Sequence, residues 1–372
     1  MGKDDIITEG ASDVGEVQVA PVEGPKDRIG RYLRKYAGNF LFDELAGHYL
    51  ESVGMSDILS GIPVPIRKTD MTELTNLKIA RNMACIVGCD LSFKYRENYL
   101  EYIRRSFGKG FVKPLIAEGV DAAERRDMEY ACICFRAATL IDPDDADAYY
   151  CYGRACKDLA DAVENADEET RAKMENAENY IGRFKMESLE AFEKAVLRSK
   201  THDRARYYLG YAYLNLGLYI KADLVWKDFL DLARDAEDEE LQKMVSEVRE
   251  WRMKLEEPIH IENGYNLVLR GRFLEGIEVL QPYTEDKIYA EWWPLWYYLG
   301  TAYKGMHYFN KAEKAFLEVL RRSPSNDEVM RELVDIYEQT GEDEKAEKYR
   351  KKIQIVEENR EAEKAERNPG LS

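Results

Sequence analysis

A pattern of large and small side chains recurs along this chain of 372 residues at a spacing of 34. In its clearest copy, Trp296, Leu299 and Tyr303 share one face of a helix. Gly300 is small enough for a second helix to approach closely, and Phe316 in that second helix fills the space between one copy and the next. Helix pairs of this kind bury a continuous core only by stacking on one another. The pattern therefore predicts an all-α repeat protein.

The complete motif resembles the tetratricopeptide repeat, a helix–turn–helix unit of 34 residues. It consists of Trp296-x2-Leu299-Gly300-x2-Tyr303, then Ala312-x3-Phe316-x2-Val319, then Pro324, which cannot continue the second helix. Val319 stands where the family usually has a small alanine. The resemblance implies a right-handed α-solenoid in which the first helix of each unit lines a concave groove.

Further copies begin at residues 112, 146, 203, 257 and 327, which gives about six units in all. They are identified by Gly119, Ala131, Phe135 and Pro143 in the copy from 112, by Tyr149, Gly153, Phe192 and Ala195 in the copy from 146, by Leu209, Gly210, Tyr213 and Trp226 in the copy from 203, by Gly264, Gly271, Gly276 and Leu280 in the copy from 257, and by Leu333, Tyr337, Gly341 and Ala346 in the copy from 327.

Two interruptions of the spacing divide the predicted array. The starts at 146 and 203 lie 57 residues apart, and we assign the extra residues to an acidic helical insertion at about 157–187. The starts at 203 and 257 lie 54 residues apart, and the spare residues have the apolar spacing of a spacer helix at 237–256. Units 1–3 then occupy 112–236 and units 4–6 occupy 257–353. The spacer is either a helix packed along the array or a hinge between its two halves.

The two ends of the chain differ from the array in composition. Residues 1–27 are acidic and rich in Gly and Pro, so we expect a disordered tail. Residues 28–111 form a basic region whose apolar spacing indicates helices, with GIPVPI at 61–66 as a connector. Residues 354–372 read as a charged helix end and tail.

Charge and hydropathy exclude several classes of protein. The formal net charge of −17 argues against a protein that coats nucleic acid or anionic lipid. No uncharged apolar run approaches the roughly 18 residues of a membrane span, and we see no signal peptide. Six irregularly spaced cysteines read as reduced thiols. We therefore expect a cytoplasmic protein that does not bind membranes.

No catalytic, metal or cofactor site is predicted. The sequence has no phosphate-binding loop of the Walker type, no GxGxxG after a strand and no HExxH pair. The pairs Cys85/Cys89 and Cys132/Cys134 lack a second Cys or His pair at zinc spacing. Cys156 occupies a position that holds Tyr213 and Tyr303 in other units, which indicates a core residue. We predict that the protein is not an enzyme.

If first helices line the groove, one stripe of each first helix should face a partner. This stripe is rich in Tyr, which offers apolar area with a polar tip, and in Arg and Lys, which bind carboxylates. It consists of Tyr150, Arg154, Lys157, Arg204, Tyr207, Tyr208, Tyr211, Tyr297, Tyr298, Thr301 and Lys304. We therefore predict an interaction scaffold that binds a peptide or protein with acidic and apolar residues.

The family resemblance and the distribution of charge raise three alternatives. The clamp with which some tetratricopeptide proteins hold a C-terminal carboxylate needs Lys and Asn at positions where only Arg204 fits here. The basic N-terminal helices suggest instead a regulatory protein that binds nucleic acid or a regulatory partner through Arg104 and Arg105. A helix-turn-helix reader is disfavoured, because Lys94 and Glu97 lie where that motif needs apolar residues.

Overall fold

The computed structural model describes residues 27–68, 74–174 and 176–366, and most of them are helical. They group into two compact units. The first unit contains the residues up to Asn215 together with Val225–Asp235, and the second contains Leu216–Leu224 and the residues from Ala236 onward. The predicted acidic tail lies outside the described residues except for Asp27, as do the last six residues of the C-terminal tail.

The N-terminal part of the first unit combines short helices with two strands. The helices are α1 (Gly30–Leu33), a 3-10 helix (Arg34–Asn39), α2 (Gly47–Ser52), α3 (Ser56–Leu59), α4 (Asn76–Cys89) and α5 (Arg96–Phe107). Helix α5 ends where Gly108 adopts a φ of 61°, a conformation that costs glycine little. The predicted helices in the second half of this region are therefore present.

The two strands were not predicted. Strand β1 (Phe40–Glu44) pairs antiparallel with β2 (Pro63–Arg67), so that Phe40 lies opposite Arg67. The sequence did not indicate strands for two reasons. Phe40 and Leu41 continue the helical spacing of the preceding residues, and the prolines of 61–66 favoured a connector. A two-stranded sheet tolerates these prolines because each strand has an edge that needs no hydrogen-bond donor.

Paired helices follow in both units. The first unit continues with a 3-10 turn (Gly108–Phe111), α6 (Val112–Glu124), α7 (Met128–Ile141), α8 (Ala146–Glu164), α9 (Glu168–Lys173), α10 (Ala177–Arg198) and α11 (Asp203–Asn215), while α12 (Tyr219–Leu232) has residues in both units. The second unit contains α13 (Glu239–Lys254), α14 (Glu256–Leu269), α15 (Phe273–Leu280), α16 (Trp293–Gly305), α17 (Phe309–Arg322), α18 (Asp327–Thr340) and α19 (Asp343–Glu366), with 3-10 helices at Gln281–Glu285 and Tyr289–Glu291.

The helix pairs share one packing contact. A Cβ atom at Gly300 of α16 would lie 2.6 Å from Phe316 Cε1 of α17, so only glycine lets the ring pack this closely. The same glycine-to-ring contact joins Gly119 to Phe135, Gly153 to Phe192 and Gly210 to Trp226, and in one further pair Leu280 replaces the ring beside Gly264. The recurrence confirms the all-α repeat fold at the level of individual contacts.

The hydrophobic core of the first unit crosses the boundary predicted at 111/112. One cluster of buried side chains runs from Ile29 through α4 and α5 to α6, α7, α8 and α10. Helix α4 packs directly against α7. The basic N-terminal region and the first repeats therefore share a core, and this region is not a separate domain.

Buried thiols belong to this core. Five of the six cysteines are buried and Cys151 is partly buried. Cys156 is fully buried, as predicted from its position in the repeat. Burial raises the pKa of Cys85 to about 12, so this thiol stays protonated at neutral pH.

Among the described residues, no helix combines the length and apolarity that crossing a membrane requires.

Candidate partner-binding surface

The predicted stripe of the first unit lies on the first helices of two successive repeats. Helix α8 presents Tyr150, Arg154 and Lys157, which are spaced four and three residues apart and so share one face. Helix α11 presents Arg204, Tyr208 and Tyr211. All six side chains are partly exposed. We call this set the α8/α11 surface.

Aromatic rings join the two helices. The centroids of Tyr150 and Tyr208 lie 6.1 Å apart. Phe192 of α10 stacks on Tyr208, with centroids 5.6 Å apart and planes inclined by 16°. Since Phe192 is fully buried, it fixes the orientation of the Tyr208 ring. The sequence predicted that Phe192 packs between helices, but it did not predict that Phe192 orients the Tyr208 ring.

His202 also packs against the ring of Tyr150. Its ring centroid lies 4.8 Å from that of Tyr150. Nδ1 of His202 accepts a hydrogen bond of 3.2 Å from the backbone N–H of Ala205 at the start of α11, and Nε2 lies 3.3 Å from Asp147 Oδ1. Burial lowers the pKa of His202 although Asp147 opposes the shift. No motif in the sequence marked this residue.

Arg154 is the cation at the centre of the α8/α11 surface. Its guanidinium carbon lies 4.3 Å from the centroid of the Tyr208 ring, and Nη1 donates a hydrogen bond of 3.4 Å to the Tyr150 hydroxyl. Its contact with Asp158 is long, at 3.8 Å. Burial alone would lower the pKa of Arg154, but Tyr208, Tyr150 and Asp158 raise it. The guanidinium is thus oriented by rings and only loosely paired with a carboxylate.

Two acids moderate the charge of this surface. Lys157 forms an ion pair with Asp161 one helical turn away. Burial raises the pKa of Asp158, and Arg154 and Lys157 oppose that shift. Lys157 is therefore less available to a ligand than the sequence suggested, whereas Arg154 keeps most of its hydrogen-bonding capacity.

Tyr207 was predicted to face the groove, and this prediction is wrong. Its side chain is only 8% exposed, because α12 covers it with Phe229, whose ring centroid lies 5.7 Å away. The Tyr207 carbonyl accepts a hydrogen bond of 3.1 Å from Trp226 Nε1. Tyr211, one turn later, remains partly exposed with its ring edge-on to Trp226.

The predicted stripe of the second unit lies on α16 and is already engaged within the protein. Lys304 pairs with Glu332 at 2.6 Å and also with Asp335, both on α18. The Tyr297 hydroxyl donates a hydrogen bond of 2.8 Å to Glu328, also on α18.

Tyr298 and Thr301 complete this stripe. Tyr298 stacks on Tyr265 with centroids 4.3 Å apart, and the Thr301 hydroxyl donates to the Tyr297 carbonyl at 3.0 Å. The expectation that Lys304 would recognise an acidic ligand is not supported, because two carboxylates of the next first helix neutralise it. The spacing of residues within one helix does not reveal this pairing, because Lys304 and its two partners lie on different helices.

The N-terminal arginines of the alternative prediction have structural roles. Arg104 donates to the carbonyl oxygens of Leu140 at 2.7 Å and Ile141 at 3.3 Å, at the end of α7. Arg105 forms ion pairs of 2.7 Å with both Glu101 and Asp57. Other basic residues of this region also pair with carboxylates: Arg28, Arg34, Lys35, Arg81, Arg96 and Lys109.

The recurring glycine-to-ring contact and the paired helices define a helical repeat protein. The family model of the tetratricopeptide repeat matches residues 297–356, which span α16 to the middle of α19. Within that range the chain therefore carries tetratricopeptide repeats. Proteins of this class are, in general, scaffolds for protein–protein interaction.

Comparison with other proteins gives only remote similarities. No curated protein matches the sequence. Among solved structures, MamA from Desulfovibrio magneticus RS-1 aligns at 13% identity over 68% of this chain and 96% of its own, with a TM-score of 0.25.

Two further structures align at the same level of identity. The tetratricopeptide domain of P58(IPK) aligns at 13% identity over 78% of this chain and 74% of its own, with a TM-score of 0.40. The Cut9–Hcn1 assembly of the APC/C aligns at 13% over 78% and 61%, with a TM-score of 0.32. At this level, these similarities carry no information on what this chain binds.

Proposed function

We propose that this protein is a non-enzymatic interaction scaffold, and that the α8/α11 surface binds a peptide or protein partner. Support comes from the class of protein and from the half-exposed rings and arginines that two successive first helices bring together. Arg and Tyr are the residue types that most often dominate the energy of such contacts.

The single observation that carries this proposal is the position of Arg154 over Tyr208 and beside Tyr150. A guanidinium held by ring contacts loses little conformational freedom when it forms a bidentate bond with a carboxylate. The partly exposed side chains of Tyr150 and Tyr208 offer apolar area next to that bond. The ligand that fits is a segment with an acidic side chain close to an apolar one.

The experiment compares two charge-matched variants of the full chain. Arg154→Gln with Arg204→Gln alters the α8/α11 surface, and Arg249→Gln with Arg270→Gln removes the same charge from exposed positions elsewhere. Partners are captured from native lysate and quantified by mass spectrometry, and the affinity of the strongest is then measured with purified components. Circular dichroism and thermal unfolding verify that both variants are folded.

We expect the first variant to weaken binding by at least tenfold, since a central arginine contact contributes about 2 kcal/mol or more. The second variant should stay within twofold of the parent protein. Equal affinity for both variants would refute the assignment of the α8/α11 surface.

The alternative of a nucleic-acid or regulatory function for the N-terminal helices has less support, because Arg104 and Arg105 are engaged within the fold. Titration with random duplex DNA and RNA at low salt tests it directly. Saturable binding that Arg105→Gln weakens would favour this alternative over the scaffold.

A further inference from the structure

A cavity of about 370 Å³ opens between the strand pair and the turn that joins α6 to α7, away from the α8/α11 surface. Its size lies in the range of sites that hold small molecules or single side chains. Three cationic side chains, Arg67, Lys68 and Arg125, line it together with Tyr36, Asp127 and Tyr130. Two of these three cations belong to the basic region 28–111 of a chain whose net charge is −17.

Arg67 is held rigidly at the wall of the cavity. Its guanidinium carbon lies 5.4 Å from the centroid of Phe40 and 5.5 Å from that of Tyr130. Nη2 donates a hydrogen bond of 2.9 Å to the Tyr130 hydroxyl. The remaining donors of Arg67 have no carboxylate partner among the described residues. A guanidinium that is held in place by two rings and has no carboxylate ion pair is suited to an anion with several oxygen atoms.

Lys68 and Arg125 also lack a carboxylate partner within the described part of the chain. Lys68 donates only to the carbonyl oxygen of Gly38, at 3.2 Å. Arg125 follows the last turn of α6, and its side chain is exposed. By contrast, Lys35, nearby in the same unit, pairs with Glu129 at 2.7 Å.

The carboxylates closest to the cavity accept hydrogen bonds from groups other than its three cations. Oδ1 of Asp127 accepts hydrogen bonds from the Tyr36 hydroxyl at 2.7 Å and from the backbone N–H of Tyr130 at 3.1 Å, where it caps α7. Glu118 accepts from the Tyr130 hydroxyl at 2.6 Å and lies 3.4 Å from Arg81. The residues that line the cavity therefore include three cations and one carboxylate, Asp127.

We propose that this cavity is a binding site for a phosphate monoester, with Arg67 as the fixed ligand-binding group and Lys68 and Arg125 as the mobile ones. A phosphate monoester carries about −1.5 to −2 charges at neutral pH and three acceptor oxygens, which match the excess of positive charge and the N–H donors of the three cations. The Tyr36 and Tyr130 rings, stacked with centroids 6.1 Å apart, supply an apolar wall for the esterified group.

The test is calorimetric titration of the full-length protein at low ionic strength with three probes: phenyl phosphate, inorganic phosphate and benzoate. We expect phenyl phosphate to bind at least tenfold more tightly than benzoate, because the carboxylate has one charge and two oxygens. Absence of saturable binding of phenyl phosphate at millimolar concentration overturns the proposal, and so does equal binding of benzoate.

Two neighbouring arginines provide a matched pair of variants. Arg125→Gln should weaken the binding of phenyl phosphate by about tenfold, since it removes a charge-assisted hydrogen bond. Arg126→Gln removes the same charge from an adjacent exposed residue that does not line the cavity, and should change the affinity by less than twofold. Equal effects of the two variants would mean that only the general surface charge attracts the anion, which overturns the site.

A phosphotyrosine peptide tests whether the phosphate monoester belongs to a phosphorylated protein or to a small molecule. Binding at least tenfold tighter than that of phenyl phosphate assigns the cavity to a phosphorylated protein partner. Binding of equal strength assigns it to a small phosphate ester.

Discussion

At the scale of single residues, Asp27 forms a buried ion pair that the acidic sequence around it did not predict. Its Oδ1 accepts from the backbone N–H of Gly30 at 2.8 Å and its Oδ2 from that of Leu91 at 3.1 Å, and the carboxylate pairs with Arg136. The two side chains are 6% and 3% exposed. Arg136 in turn donates to the Gly88 carbonyl at 3.3 Å. The start of the described chain is thus tied to α4 and α7 through a buried ion pair.

We predict that Asp27→Asn lowers the free energy of unfolding by about 3–5 kcal/mol, because it leaves the Arg136 charge buried without a partner. Urea denaturation measures the change. Arg28→Gln serves as the control: Arg28 pairs with Glu187 and Glu190 but is one-third exposed, so its loss should cost about 1 kcal/mol or less. Similar losses in the two variants would contradict this account.

The loss of stability caused by Asp27→Asn should depend on pH. Burial would raise the pKa of Asp27, but Arg136 and the two backbone N–H groups outweigh burial and lower it. A carboxyl group whose pKa is lowered by folding stabilises the folded state above its unfolded pKa of 3.8, and that stabilisation is lost as the pH falls through the lower folded value. The stability difference between parent and Asp27→Asn should therefore shrink below pH 3.8.

At the scale of elements, the turns between paired helices share one conformation. Seven residues after the glycine that meets the ring, the chain adopts a positive φ: 65° at Arg126, 70° at Gly217, 75° at Gly271 and 60° at His307. In the pair of α8 and α10, the equivalent residue Ala160 stays helical, so α8 runs on to Glu164 and α9 precedes α10. The insertion thus replaces one turn of the repeat.

We predict that His307→Gly raises the free energy of unfolding by about 0.5–1 kcal/mol. The left-handed conformation costs a residue with a side chain about 1–2 kcal/mol, and glycine avoids most of that cost. Glycine also gives the unfolded chain more freedom, which offsets about 0.5–1 kcal/mol of the gain. The reverse change Gly341→His, at the equivalent turn with φ of 74°, should destabilise by a similar amount. Chemical denaturation measures both, and a destabilised His307→Gly would show that its ring contact with Phe309 outweighs backbone strain.

At the scale of the molecule, the first unit depends on contacts between distant parts of the chain. Helix α4 packs on α7, and Gly88 lies against the backbone of Ile133 so closely that a Cβ atom would not fit. Ion pairs from Arg28 to Glu187 and Glu190 of α10 add to this packing. The helices before residue 112 are therefore a wall of the core of the first repeats.

We predict that a chain beginning at Val112 loses the cooperative fold of the first unit, because truncation exposes the buried face of α7 to water. A chain beginning at Asp27 keeps every described residue and should unfold as the parent does. Binding of a hydrophobic dye together with the cooperativity of thermal unfolding separates the two cases. A soluble, cooperatively folded protein starting at Val112 would contradict the shared core.

The helical repeat, its spacing and the residues that join paired helices could all be predicted from the sequence. Those features depend on contacts between residues close in the chain, such as Gly300 with Phe316, and helical periodicity makes such contacts readable. The same local reasoning located Tyr150, Arg154 and Tyr208 on first helices.

Which of these side chains a ligand can use depends on tertiary contacts. Tyr207 is covered by α12, and Lys304 is neutralised by carboxylates of α18, a helix that belongs to the next repeat. The β1–β2 pair, the ion pair of Asp27 with Arg136 and the cavity beside Arg67 likewise join residues far apart in the chain. Burial and charge pairing are properties of neighbours in space, and a periodic pattern read along one helix contains no information about them.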